Sequence, residues 1–287
     1  MSALPPLTPR APRRHTLSVC MICKNEADRI EACLESVRDW ADEIIVFDSG
    51  SSDGTLEIVR RYTDRIWQTD WPGYGPQRQR SLEAARGDYV LTIDADERVT
   101  PELRAEITAE LAKETVPCAV YRMPWGPIFF GQRLRWGGRY ASPQAKLFRR
   151  EGAEFPPVQV HETLKFPPGP VGHLRGRLDH DSYRDYRHLV DKHTQYAWLL
   201  AQEKYARGKR TTVITPVLRF LWEFLVQYLA RGLVLDGGRG FLLAVVLSQY
   251  AYHKYAALWT LQASQAPVDP RFAPQLRQRR RERESRG

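Results

Sequence analysis

Residues 89–93, Tyr-Val-Leu-Thr-Ile, form a short apolar run that breaks at its carboxyl end into Asp94, Asp96 and Glu97. Such a run predicts a strand buried on both faces, as in a parallel sheet covered by helices. Three carboxylates so close together repel one another, and they persist only when solvated or neutralised by a cation. Oxygen donors of this kind suit Mg2+ or Mn2+, with phosphate oxygens and water completing the shell. A solvated turn leading into a helix N-terminus accounts for the same residues, and the residues upstream decide between the two readings.

Upstream the chain alternates. Residues 16–23 predict a strand, after which Lys24-Asn-Glu26 opens a helix with Ile30, Leu34 and Val37 at helical spacing. Residues 43–48 predict a second strand ending on Asp48. Next come a loop of small and helix-capping residues over 49–55 and a helix through Leu56, Ile58, Val59 and Tyr62. A short third strand over 65–69, a turn over 73–76 and a helix over 77–86 lead to the acid-ended strand. Alternating strands and helices imply a parallel sheet with right-handed crossovers. In a doubly wound sheet of order 3-2-1-4, ligands sit beyond the carboxyl ends of strands 1 and 4. Lys24, Glu26, Asp48, Asp94 and Asp96 then meet in one crevice suited to a metal-bound nucleotide diphosphate. Neither G-x-G-x-x-G nor a P-loop lysine motif is present, so dinucleotide chemistry and ATP hydrolysis are not indicated.

Further on, Pro101 opens a helix ending near Lys113, and residues 119–123 predict a strand. Residues 125–136 are rich in aromatics and glycine, which serve either core packing or a wall against a sugar ring. The segment 158–162, Val-Gln-Val-His-Glu, follows a proline turn and places His161 and Glu162 just past a short strand. The last third turns helical, first over 185–208 and then over 217–231, where Arg219, Glu223, Gln227 and Arg231 form one polar stripe. A glycine turn over 235–241 precedes an apolar helix over 241–261. The charge-free stretch 240–252 is shorter than the ~20 residues that crossing a bilayer requires. These helices therefore read either as a packed appendage or as an amphipathic hairpin in the membrane interface.

A chain of 287 residues with 43% hydrophobic content can bury a substantial core, which excludes a disordered protein. Its net charge of +9 is concentrated at the two ends, over 11–15 and 277–286. Such arms attract nucleic acid or anionic lipid with equal justification, or merely solubilise. Cys20, Cys23, Cys33 and Cys118 lack the partners of a zinc site and read as buried thiols of a reducing compartment. Residues 1–15 hold four prolines and no apolar signal core, so the catalytic part is expected to stay in the cytoplasm.

Residues 18–26 (SVCMICKNE), residues 45–55 (IVFDSGSSDGT) and Asp94-Ala-Asp96 resemble the three signatures of family 2 glycosyltransferases, and the resemblance runs from about 16 to 175. It implies a GT-A fold, a Rossmann-like α/β domain with a mostly parallel sheet and flanking helices. The expected organisation is a basic arm over 1–15, the catalytic domain over 16–175, a membrane-associated helical appendage over 176–265 and a basic tail over 266–287. The donor implied is a nucleotide-diphosphate sugar, with a divalent metal, Mg2+ or Mn2+, as cofactor. Asp48 would contact base or ribose, Asp94 ribose or metal, and Asp96 the metal. Glu26 would lie beside the nucleoside, and Arg78, Lys146 and Arg149 near phosphate. Glu162 would be the base that takes the acceptor's proton, with His161 positioning it, and a single base implies inversion at the anomeric carbon.

The carboxyl end resembles that of bacterial lipopolysaccharide-core transferases. This implies a lipid-linked saccharide acceptor and an anionic membrane surface as partners, rather than nucleic acid, with the protein peripheral on the cytoplasmic face of the inner membrane. A polyprenyl-phosphate sugar transferase is the alternative within the class. A sugar-nucleotide pyrophosphorylase is a rival outside it, but the glycine-rich basic loop of those enzymes has no counterpart here. A non-catalytic adaptor is the third reading, and the intact acid cluster argues against it.

Overall fold

The computed structural model describes residues 13–134, 136, 143–156 and 164–269. The chain forms two compact units, one of Met1–Ile128 with Ala141–Ser182 and the other of Phe129–Tyr140 with Tyr183–Gly287. The first unit is built on β1 (Leu17–Cys23), β2 (Glu43–Asp48), β3 (Ile66–Gln68) and β4 (Tyr89–Thr92), with α1 (Ile30–Glu35), α2 (Thr55–Val59) and α3 (Tyr74–Ala84) between them. It continues through β5 (Glu97–Val99), α4 (Pro101–Ala112), β6 (Val120–Met123) and β7 (Trp125–Phe129). After β8 (Gln132–Arg133), in the second unit, the first unit adds β9 (Gln144–Arg149), β10 (Val171–His173) and β11 (Leu178–His180).

The main sheet has the order β10-β6-β9-β4-β1-β2-β3, with β1 parallel to both β2 and β4 and β2 parallel to β3. The expected 3-2-1-4 core is therefore present, and β9 lies antiparallel between β4 and β6. Every residue of β1 and β4 is buried. Because strand side chains alternate, Leu17, Val19 and Met21 pack into one apolar cluster with α1 and α4, while Cys20 and Ile22 join Ile45, Phe47 and Phe148 in another. Gly87 marks a close crossing, where a Cβ would stand 2.7 Å from the backbone nitrogen of Ser18. In a second, smaller sheet β11 runs antiparallel to β5 and parallel to β7.

Two boundaries differ from expectation for local reasons. Helix α3 begins at Tyr74 and takes in the predicted turn, because Pro76 falls in the first turn, where its missing N–H costs nothing. Helix α1 begins only at Ile30, since Asn25 has a left-handed φ of 57° that no helix accommodates.

The second unit contains α5 (Tyr186–Ala206), α6 (Thr215–Leu225) and α7 (Gly237–Ala263). A π-helical turn (Val226–Ala230) prolongs α6, and a 3-10 turn (Leu233–Asp236) leads into α7. The polar stripe survives the change of pitch, with Gln227 donating to Glu223 at 2.5 Å and Arg231 donating to Gln227 at 3.3 Å. The glycine turn expected over 235–241 is in fact the start of α7. Gly237 supplies a left-handed φ of 61°, and Gly240 lies so near Leu233 that a Cβ would overlap that residue's carbonyl oxygen. Among the described residues no helix is long and apolar enough to cross a membrane.

Candidate functional site

The parallel register of β1 with β2 sets Cys23 beside Asp48, so the loops after both strands open at the same rim of the sheet. These loops are laced together. Asn25 donates its backbone N–H to the Ser51 hydroxyl at 2.8 Å, and its side-chain oxygen accepts from Ser52 N at 2.8 Å. Glu26 N donates to the Thr55 hydroxyl at 2.8 Å. Asparagine suits position 25 because it tolerates the left-handed conformation while offering that acceptor. Lys24 is exposed on the same loop, and Glu26 is half-buried with an oxygen 3.5 Å from Arg29 Nε.

Asp48 is the last residue of β2. Its side chain is fully buried, accepting from Gly50 N at 2.9 Å, Ser51 N at 2.8 Å and the Ser51 hydroxyl. The carboxylate thus shapes the loop that follows it. The exposed acid of the loop is Asp53, which accepts from Thr55 N at 3.0 Å and Ala27 N at 3.2 Å. The Thr55 hydroxyl, ahead of these amides, holds it below the ordinary carboxylate range.

At the end of β4 the acids divide by face. Ala95 and Glu97 turn inward and are buried, whereas Asp94 and Asp96 are partly exposed. Arg78 NH2 donates to Asp94 Oδ1 at 2.8 Å and Lys146 Nζ to Asp94 Oδ2 at 2.9 Å. Lys146 also donates to Glu97 Oε2 at 2.6 Å, and the indole of Trp125 donates to Glu97 Oε1 at 2.9 Å. Burial draws Asp94 toward its neutral form, but Arg78 and Lys146 outweigh it and hold the carboxyl well below the ordinary range. Burial raises Glu97 above its ordinary value, with Lys146 opposing and Asp94 adding to the rise. Arg78 and Lys146 thus stand where phosphate-binding cations were expected, already neutralising two acids. Asp94, expected at ribose or metal, has its two oxygens engaged by Arg78 and Lys146.

Asp96 is the acid left facing a different partner. Its Oδ2 lies 3.3 Å from His180 Nε2, and the imidazole stacks on Trp125 with ring centroids 4.4 Å apart. The Ser182 hydroxyl lies 2.9 Å from His180 Nδ1. Asp181 N donates to Asp96 O at 2.8 Å, and Arg29 donates to Asp181 O at 2.9 Å, fixing β11 against the acid turn. Among the described residues no group of three or more histidines, cysteines or acids is arranged to hold a metal. A carboxylate beside an imidazole nevertheless fits a divalent cation whose remaining positions are taken by diphosphate oxygens and water. His180 was not anticipated, because residues 176–265 read as helical. Its signal is a single apolar residue, Leu178, which is buried ahead of the less buried Asp179 and His180. The first unit accordingly extends to Ser182, beyond the boundary expected at 175.

Arg149 does not join the site. It pairs with Tyr89 at the opposite end of β4, roughly 16 Å from Asp94 at strand rise, and donates to Pro168 O at 3.0 Å. His161 and Glu162 lie outside the described residues.

Residues 18–158 match the profile described as glycosyl transferase family 2. The chain is similar to the lipopolysaccharide core biosynthesis glycosyltransferase LpsC of Rhizobium meliloti, at 31% identity over 257 residues covering 87% of this chain and 94% of that one. It is also similar to an uncharacterized glycosyltransferase of Rickettsia prowazekii, at 26% identity over 84% of this chain and 86% of that one. Among solved structures, S. aureus TarS 1-349 in complex with UDP-GlcNAc aligns with a TM-score of 0.47 at 15% identity, over 87% of this chain and 92% of that one.

Proposed function

The chain belongs to glycosyltransferase family 2, and from that premise we propose that it transfers a sugar, with inversion, from a nucleotide-diphosphate donor to a lipid-linked acceptor of lipopolysaccharide core or a related envelope glycan. The observation that carries the reading is the gathering of Asp94, Arg78, Lys146, Asp96 and His180 at the carboxyl rim of β4, beside the loops after β1 and β2. Asp96 and His180 would hold a divalent cation, Mg2+ or Mn2+, which when bound supplies Lewis-acid stabilisation to the leaving diphosphate.

The residues of the chain divide the remaining work. Arg78 and Lys146 keep Asp94 ionised and add positive charge where the diphosphate's negative charge gathers. Trp125 holds both the Glu97 end and the His180 end of the cluster in place. Glu162 is the proposed base for the acceptor hydroxyl, with His161 beside it, and one base without a second nucleophile accounts for inversion. The LpsC name points to a lipopolysaccharide-core acceptor, and an acceptor of that kind would place the enzyme at the cytoplasmic face of the inner membrane.

The test is release of nucleoside diphosphate from a panel of donor sugars, with Mn2+ or with EDTA, followed by the anomeric configuration of the product. The reading expects metal-dependent turnover, an inverted anomer, and at least ~100-fold slower transfer in Glu162→Gln. A retained anomer, or turnover indifferent to EDTA, would overturn it.

A further inference from the structure

The second unit carries an apolar surface that stays open to solvent. Ile214, Leu218, Leu221, Trp222, Leu225 and Leu229 are each more than half exposed. Their intervals follow the helical repeat, so they make one stripe along α6 and its π-helical extension, roughly 24 Å long at helical rise. Single exposed leucines are ordinary on a soluble protein, but a continuous stripe of this size marks an interaction surface. Phe241, also about half exposed, extends it sideways from α7, its ring meeting those of Phe224 and Tyr228 at 5.9 and 5.7 Å.

Helix α7 itself is not the open face. Ala244, Val246, Ala251 and Leu258 are buried inside the unit, so the charge-free stretch that looked suited to an interface is largely internal. Exposed Lys209, Arg210, Arg219, Arg231 and Arg239 lie before, within and after the α6 segment. From 207 to 263 the sequence holds seven lysines and arginines against two acids, Glu223 and Asp236. Glu223 accepts from Gln227, and Asp236 accepts from the backbone of Trp136 at 3.2 Å. The arginine-rich sequence 270–287 follows the end of α7, where Gln262 accepts from Thr211 N at 3.0 Å, just ahead of α6.

We propose that the α6 stripe is a membrane-surface anchor, lying in the plane of an anionic bilayer with its leucines and Trp222 among the acyl chains and the flanking cations at phosphate level. This deepens the lipid-linked-acceptor reading and rests on it for the bilayer as partner. Charge argues the same way: a second copy would bring like-charged surfaces together, whereas anionic headgroups complement them.

The experiment is co-sedimentation of the full chain with vesicles of phosphatidylcholine alone, or of phosphatidylcholine mixed with phosphatidylglycerol, at low and high salt. The anchor expects binding to the anionic vesicles, weakened by salt. It expects at least ~10-fold less bound protein for Leu218→Glu/Leu221→Glu, and no change for Val171→Glu, which alters an exposed apolar residue of the other unit. Circular dichroism and donor hydrolysis of the double variant, both matching the native chain, establish that it folds. Hydrolysis is measured without vesicles, so failure of the transferase reading registers separately from failure of the anchor. Equal binding by the double variant overturns the proposal. So does native protein that ignores both vesicles, including the case in which sedimentation velocity shows a dimer that the double variant loses.

Discussion

The ammonium of Lys146 lies 2.6 Å from Oε2 of Glu97, a carboxylate whose side chain has no solvent exposure. The same ammonium reaches Asp94 at 2.9 Å, so one cation from β9 ties together two acids on either side of a tight turn. A buried acid without its cation must either take a proton or stay charged at high cost. Lys146→Met is therefore expected to destabilise the protein by about 3 kcal/mol, read as a lower denaturation midpoint, and to abolish turnover. Full stability in that variant would show that the pair matters only on paper.

Asn25 separates conformation from hydrogen bonding. Its left-handed φ of 57° and its acceptor for Ser52 N are two distinct contributions. Asn25→Gly loses the second but keeps the first, and Asn25→Ala loses both. The alanine variant is expected to be less stable than the glycine variant by about 1 kcal/mol in chemical denaturation. The reverse order would mean that the backbone there relaxes freely.

Two glycines at the start of α7 should respond in opposite senses. Alanine is the better helix former by about 1 kcal/mol, and at Gly238 an added Cβ meets no atom within 4 Å. Gly238→Ala should raise the melting temperature. At Gly240 the Cβ overlaps the Leu233 carbonyl, so Gly240→Ala should lower it despite the same propensity gain. Calorimetry on the two variants decides the matter.

Acid sensitivity should have an identifiable source in Asp88. Its carboxylate accepts from Thr16 N and the Thr16 hydroxyl, each at 2.8 Å. The backbone bond from Thr16 is the largest influence and lowers its pKa, against some desolvation. A carboxyl lowered on folding contributes stability above its unfolded value of about 4 and loses it as pH falls below that toward the folded value. Asp88→Asn should therefore show a shallower loss of stability on acidification below about pH 4. An unchanged slope would assign the acid limb elsewhere.

Much of this was readable before any coordinates. The 3-2-1-4 order followed from strand and helix alternation, and α5 falls where its apolar spacing placed it. What escaped depended on partners distant in sequence. The inward turn of Glu97 is set by Lys146 and Trp125, and periodicity within four residues cannot reveal either. Asp48 ends its strand at the rim, and that its donors are the hydroxyl of Ser51 and the amides of its own loop is a matter of loop conformation that the strand pattern does not show. Arg149 shares a strand with Lys146 but pairs at the other end, a matter of register that composition leaves open. The apolar content of α6 and α7 is similar, and only packing shows that α7 hides its face while α6 displays it.

Asp96, with its Oδ2 3.3 Å from His180 Nε2, is the acid at the rim proposed to receive the divalent cation. The most direct test is Mn2+ binding by paramagnetic resonance, with and without a panel of nucleoside diphosphates, on the native chain and on Asp96→Asn. A bound Mn2+ signal that strengthens with one diphosphate, and that is lost in Asp96→Asn while the melting temperature stays close to native, is the predicted result. An equal Mn2+ signal in Asp96→Asn would contradict it.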